Sequence, residues 1–408
     1  MQLKKIVLAT VAGRDKPGLM AMVTSTFERF QVHVLDVGQS VIHDQLALGF
    51  LLRVETSGDV AMRAELLSLC NDAGALMTFE DVPASRYAQW VEASTRSSFI
   101  ITLLASGGLA DELHAVSSIT RSEGLNIESI RRLSGRVPPH EVDTPRHSII
   151  EMRVRGEPDD PQRLQAALLE ASSKQGFDFS VQRDTVYRRH RRLVAFDMDS
   201  TLINAEVIDE LAKLHGVGDR VSAITERAMR GELDFQASFR ARVAELKGLS
   251  ADAFRVVAER VHLNPGAERL IRTLKHLGYR TAILSGGFTY VGHHLRRQLG
   301  IDHVVANNLV IREGIINGEV EGAIVDARRK AEALTDIARA EDIHIEQTIA
   351  IGDGANDLPM LSIAGLGVAY HAKPLVRQSA HHAISNFGLD AVLYLLGFSD
   401  EDLAHLER

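Results

Sequence analysis

Asp197-Met198-Asp199-Ser200-Thr201 sets two carboxylates one residue apart, directly after Leu193-Val194-Ala195-Phe196, an apolar run that reads as a buried strand. Like charges this close repel, and each is costly to desolvate. A compensating partner is therefore expected. Carboxylate oxygens suit a hard cation, Mg2+ or Ca2+. Two further apolar runs end in reactive groups: Arg280–Leu284 in Ser285-Gly286-Gly287, and Thr348–Ile351 in Gly352-Asp353-Gly354-Ala355-Asn356-Asp357. Lys330 stands at a helix start ahead of the second. A hydroxyl, glycine N–H groups and an ammonium are what a phosphoryl group needs around it. Mg2+ in particular binds through one or two carboxylates together with substrate phosphate.

Phosphoryl chemistry gives the aspartates distinct roles. Asp197 is read as the nucleophile that attacks phosphorus and forms an aspartyl phosphate. Asp199 is read as the acid that protonates the leaving alkoxide and then takes a proton from water. Competing motifs fail. Counted from Asp197, an EF-hand would need Gly where Leu202 stands and Glu where Ile208 stands. The sequence has no G-x-x-x-x-G-K-[ST] and no H-E-x-x-H, and Cys70 is its only cysteine.

These groups converge only if their strands are parallel neighbours, since ligands bind beyond the carboxyl ends of such strands. After about residue 186 strands (193–197, 279–284, 303–306, 347–352) alternate with helical stretches, which predicts a parallel sheet covered on both faces. Residues 205 to about 262 are helical and add no strand, as a cap would. Within or beside the cap, Glu206 and Arg242 would suit a zwitterion, the acid pairing an ammonium and the guanidinium clamping a carboxylate. Met229 and Phe235 would pack over them and exclude water.

The first 184 residues repeat one order, strand-helix-strand-strand-helix-strand: once over about 1–85 and again over 97–184. This is the ferredoxin-like plan. A polar stretch with the single tryptophan, Trp90, separates the copies, and Gly135 to Arg146, with Pro138, Pro139 and Pro145, is expected as an exposed loop. The basic run Tyr187–Arg192 reads as a solvated linker.

The D-x-D-x-T run at 197–201, Ser285, Lys330 and G-D-G-A-N-D at 352–357 stand in the order of the four motifs of the haloacid dehalogenase superfamily, which this part of the chain resembles. The resemblance implies a Rossmann-like parallel sheet with a small helical cap. It implies Mg2+ held by the Asp197 carboxylate, the Asp199 carbonyl and the Asp353 carboxylate, with Asp357 supporting them. Ser285, the Gly286 N–H, Lys330 and Asn356 would hold the phosphoryl group. Within the superfamily, residues 193–395 resemble phosphoserine phosphatases of the SerB type: V-I-D-E-L-A after Glu206, M-R-G-x-x-D-F-x-x-S-x-x-x-R-V at 229–243 and L-S-G-G-F at 284–288 carry the likeness. Hydrolysis of O-phospho-L-serine, the last step of serine biosynthesis, is the activity implied. Phosphoryl transfer to another alcohol, or amino-acid sensing with secondary phosphatase activity, are the alternatives.

The two N-terminal modules resemble ACT domains, which implies an amino-acid effector such as serine and pairing into a homodimer. Gly18 and Gly108, each just ahead of a helix whose N–H groups could face a carboxylate, are the expected effector contacts. The net charge of −8 argues against nucleic acid and anionic membrane as partners. No apolar stretch approaches the ~20 residues a membrane span needs, and Met1–Gly13 reads as a strand and loop start, not a signal peptide. A single cysteine gives no sign of an oxidising compartment, so a cytoplasmic protein is expected.

Overall fold

A computed structural model describes residues 4–136, 147–373, 376–377 and 382–407. Most of the expected proline-containing loop, residues 137–146, lies outside them. The chain divides into two units, Met1–Arg96 and Ser97–Arg408.

The first unit runs β1 (Lys4–Arg14), α1 (Leu19–Arg29), β2 (His33–Ile42), β3 (Gln45–Glu55), α2 (Asp59–Asp72) and β4 (Ala75–Val82). Its strands form an antiparallel sheet in the order β2-β3-β1-β4. Alternation builds the core: Leu46, Leu48, Phe50, Leu52 and Val54 of β3 are buried and their neighbours are not. The buried face meets Leu19, Val23 and Phe27 of α1 and Met62, Leu66 and Cys70 of α2. The stretch around Trp90 is a helix, α3 (Ala84–Ser94), where only a polar connection is expected from sequence. Its apolar stripe, Tyr87, Trp90 and Val91, is short and none of its residues is buried, so the helix is hard to read from periodicity.

The second unit opens on the same plan: β5 (Ser98–Ala105), α4 (Ala110–Ser122), β6 (Asn126–Arg132), β7 (Ser148–Arg155), α5 (Pro161–Gln175) and β8 (Asp178–Arg183), with sheet order β6-β7-β5-β8. Asp160 caps α5 by accepting from the Gln162 and Arg163 N–H groups, and Pro161 takes the first helical position, where a missing N–H is harmless.

The chain then alternates. β9 (Leu193–Phe196) leads into four cap helices, α6 (Val207–His215), α7 (Gly218–Met229), α8 (Phe235–Ala244) and α9 (Asp252–Arg260). There follow α10 (Ala267–His276), β10 (Arg280–Phe288), α11 (Thr289–Leu299), β11 (His303–Arg312), β12 (Ile315–Glu321) and α12 (Ala327–Ala340). Then come β13 (Thr348–Gly352), α13 (Leu358–Ile363), β14 (Leu366–Tyr370) and β15 (His382–Ile384), and two short helices, Val392–Leu395 and Asp400–Leu406, follow. The sheet order is β12-β11-β10-β9-β13-β14-β15, parallel throughout except for β12.

This sheet does not stop at β15. β15 pairs antiparallel with β8, making one eleven-stranded sheet that spans the second ferredoxin-like module and the parallel region. The joint is polar. Buried Asp178 accepts from the Ser385 and Asn386 backbone N–H groups and from Asn386 Nδ2, and Ser180 Oγ lies 3.0 Å from His382 Nδ1. Among the described residues no helix is long and apolar enough to cross a membrane.

Candidate active site

β9 is fully buried and has β10 and β13 as parallel neighbours, so three carboxyl ends open on the same side. Asp197, Ser285 and Asp353 meet there. Beyond Asp197 the chain makes one wide turn, Met198–Leu202, closed by a 3.1 Å hydrogen bond from the Ile203 N–H to the Met198 carbonyl. Ser200 adopts the left-handed conformation in it (φ 58°).

One oxygen of Asp197 is pinned. Its Oδ1 accepts from the Met198 N–H at 2.8 Å and from Lys330 Nζ at 2.7 Å. Lys330, in the first turn of α12 and buried, also donates to Asp357 Oδ1 at 2.7 Å. Asp357 Oδ2 accepts from the Gly354 N–H at 3.0 Å, so both its oxygens are engaged. Thr201 Oγ1 donates to Asp353 Oδ1 at 3.0 Å.

Carboxylate oxygens of Asp197, Asp353 and Asp357 lie within 4.8 Å of one another. An all-oxygen set of this kind fits a hard divalent cation. The electrostatics point the same way. Burial first, then Asp357, push Asp197 up to about 8, against the pull of Lys330. Burial and Asp357 likewise push Asp353 to about 6. Burial alone would lower Lys330, but Asp197 and Asp357 outweigh it and hold it above the ordinary lysine value. Lys330 therefore carries the proton of its contact with Asp197. The three crowded carboxylates remain short of positive charge, which a bound cation would supply.

Asp199 is raised well above the usual carboxylate range, by burial first and then by Glu206 and Asp197. Its Oδ1 accepts from the Val207 N–H at 3.3 Å. A Cβ at Gly287 would overlap Asp199 Oδ2 and Met198 Cε, so any larger residue there would have to displace those side-chain ends. Ser285 Oγ accepts from the Gly287 N–H at 2.9 Å.

The cavity above these groups holds about 160 Å3. Sheet ends contribute Asp197, Asp199, Ser285, Gly286, Asp353 and Asn356 to it, and the cap side contributes Glu206, Ile208, Phe235, Phe239 and Arg242. Glu206 Oε1 accepts from Ser200 Oγ at 2.8 Å. Arg242 is largely buried, which lowers its pKa against the attraction of Glu206, Asp209 and Asp199, and its Nε has no hydrogen-bond partner. Phe235 and Phe239 stack with centroids 6.2 Å apart, and Phe235 reaches towards Gly286.

Met229 is the one expected substrate contact that the structure does not bring here. It ends α7, is 66% exposed and does not line the cavity. A turn held by Arg227 and Arg230 on Glu232 separates it from α8, whose Asp234 cap starts the helix with Phe235 over the cavity instead. Gly18 (φ 94°) directly precedes α1, whereas Gly108 stands one residue outside the Leu109 cap of α4. Neither lines the 310 Å3 cavity of the first unit, which lies between the sheet and α3 at Gly38, Gly49, Tyr87 and Trp90.

Some site residues were not anticipated. Phe239 follows Phe235 by one helical turn, a spacing that could have revealed it. Buried Asn307 donates to the Gly286 carbonyl and accepts from the Val325 N–H, both at 2.8 Å, and nothing in its sequence context marks it. Lys373, just beyond β14, lines the cavity without any motif to signal it.

A family model for haloacid dehalogenase-like hydrolases matches residues 194–362, and one for the ACT domain matches residues 5–80. Phosphoserine phosphatase SerB2 of Mycobacterium tuberculosis is 39% identical over 402 residues, covering 97% of this chain and 94% of that protein. The chain belongs to the phosphoserine phosphatase family. A second member, from Streptomyces coelicolor, is 39% identical over 398 residues, covering 97% of this chain and 93% of its own length. Among solved structures, a haloacid dehalogenase family hydrolase from Salmonella enterica serovar Typhi superposes with a TM-score of 0.62 at 32% identity, covering 73% of this chain and 98% of that one. Family membership brings with it a divalent-metal phosphatase centre, and the three-aspartate cluster has the donors for one.

Proposed function

We propose that the protein hydrolyses O-phospho-L-serine to L-serine and phosphate through a phosphorylated Asp197. The observation that carries the substrate is Arg242: a largely buried guanidinium in the same small cavity as the phosphoryl-binding groups, with Nε unpaired and Glu206 lining the same space. A molecule with a phosphate, an ammonium and a carboxylate satisfies all three.

In the first step an Asp197 oxygen bonds to phosphorus as the phosphorus–oxygen bond to serine breaks. Asp199 gives its proton to the departing alkoxide. In the second step water attacks phosphorus, Asp199 takes a proton from it, and the bond to Asp197 breaks to release phosphate. Lys330, Ser285 and the Gly286 N–H hold the phosphoryl oxygens, and Asn356 touches the same side. Asp197, the Asp199 carbonyl and Asp353 would hold Mg2+, with Asp357 behind them. When bound, Mg2+ neutralises charge between the nucleophile and the phosphate. Phosphate monoesters hydrolyse so slowly unaided that the groups together must lower the barrier by on the order of 20 kcal/mol.

We also propose that the protein is a cytoplasmic homodimer and that its ACT region takes an amino-acid effector near Gly18, with Gly108 as the corresponding contact in the second module. Calorimetric titration of the full chain with amino acids tests the effector, and absence of heat with all of them would contradict it. The function itself is tested by phosphate release with and without Mg2+. Phosphoserine should be strongly preferred over phosphoethanolamine, which lacks the carboxylate. Equal rates would remove the Arg242 assignment.

A further inference from the structure

The cap leaves the sheet and returns to it over two adjacent stretches of chain. Ile203 and Leu263 pair antiparallel, the Asn204 N–H donates to the His262 carbonyl at 3.0 Å, and the Asn264 N–H donates to the Leu202 carbonyl at 2.8 Å. At this crossing Asn264 Nδ2 lies 3.1 Å from the Ser200 carbonyl, 2.8 Å from that of Thr201 and 3.3 Å from that of Ile203. An amide has two N–H donors, so two carbonyls of the turn and that of Ile203 just after it share a single NH2 group.

That turn carries Asp199 and includes Ser200 in a conformation that costs a non-glycine residue energy unless its surroundings enforce it. The Asp199 carboxylate has its own tie on the far side, to the Val207 N–H that opens α6. Asp199 thus sits between the first cap helix and a turn whose carbonyls are fixed by the returning hinge. Asn264 itself does not line the cavity.

We propose that Asn264 is a positioning residue that aims Asp199 at the leaving oxygen, by fixing the Ser200, Thr201 and Ile203 carbonyls against the returning cap hinge. The proposal rests on the reading of Asp199 as the acid for the alkoxide. Its test uses two leaving groups. Serine alkoxide needs a proton to depart, and p-nitrophenolate does not. The ratio kcat/KM covers only steps through departure of the alcohol, so hydrolysis of the phosphorylated aspartate does not enter it.

Asn264→Ala should lower kcat/KM for phosphoserine about 10- to 100-fold, part of what a general acid contributes, and for p-nitrophenyl phosphate less than about 3-fold. Asn264→Ser, which keeps one short donor, should fall between Asn264→Ala and the unaltered protein in this selectivity. It is read by the same ratio if Asn264→Ala does not fold. Asp199→Asn, measured alongside, separates the two claims. If Asp199→Asn discriminates between the esters but the Asn264 variants lower both alike, Asn264 is only a structural clamp and the proposal is overturned. If Asp199→Asn itself lowers both alike, the acid assignment is wrong and the proposal falls with it.

Discussion

Asp199 and Arg242 are both enclosed titratable groups whose surroundings define their work. Burial, Glu206 and Asp197 all favour protonated Asp199. Its acid form is depleted as pH rises through that raised pKa. The kcat/KM for phosphoserine should therefore fall on the alkaline side, while that for p-nitrophenyl phosphate should not show the same limb. Superimposable profiles would contradict the assignment. Arg242 makes the complementary prediction about binding. Removing a buried guanidinium that pairs a carboxylate is worth about 2–5 kcal/mol. Arg242→Ala should therefore cost phosphoserine on the order of a hundredfold or more in kcat/KM and leave the aryl ester nearly unchanged. Equal losses on both would mean that Arg242 shapes the cap instead of gripping substrate.

The elements that position these residues differed in how plainly they could be read. β9 and β13 announce themselves, each an apolar run with aspartate at or just beyond its carboxyl end. β10 was legible only to Leu284; it continues to Phe288 through two glycines, with an irregularity in its pairing to β11. The β11–β12 hairpin was missed, although Glu313 and Gly314 both take positive φ at its tip (51° and 76°). Glu at the first of these positions hides a turn usually signalled by Asn or Asp. Met229 lies outside the cavity lining, and motif order says nothing about which side of a helix end faces the cavity. The passage of β10 beneath Asp199 yields a prediction at this scale. Gly287→Ala should cut turnover at least about a hundredfold, since the added methyl displaces the acid and small misplacements of reacting groups are that costly. Its melting temperature should move far less than its rate. Wild-type turnover would show that the close approach has no role.

At the scale of the whole molecule, the repeat of a ferredoxin-like plan was readable, but its destination was not. Strand order within each module follows from local alternation. The pairing of β8 with β15 joins residues about two hundred positions apart, and no periodicity carries that information. Asp178 holds this joint through three donors. Asp178→Ala leaves them unsatisfied and should cost about 2–4 kcal/mol, visible as a lower melting temperature of the second unit. An unchanged melt would mean that the continuous sheet is not held there.

The catalytic expectations depend on phosphorus passing through one oxygen of Asp197. The most direct measurement is to quench the Mg2+-loaded enzyme in acid during turnover of 32P-labelled phosphoserine, then locate the label by peptide mass spectrometry. The label should reside on Asp197 as an acyl phosphate, and Asp197→Asn should trap none and release no phosphate while melting like the unaltered protein. Steady phosphate release with no adduct on Asp197, or undiminished turnover by Asp197→Asn, would contradict the account.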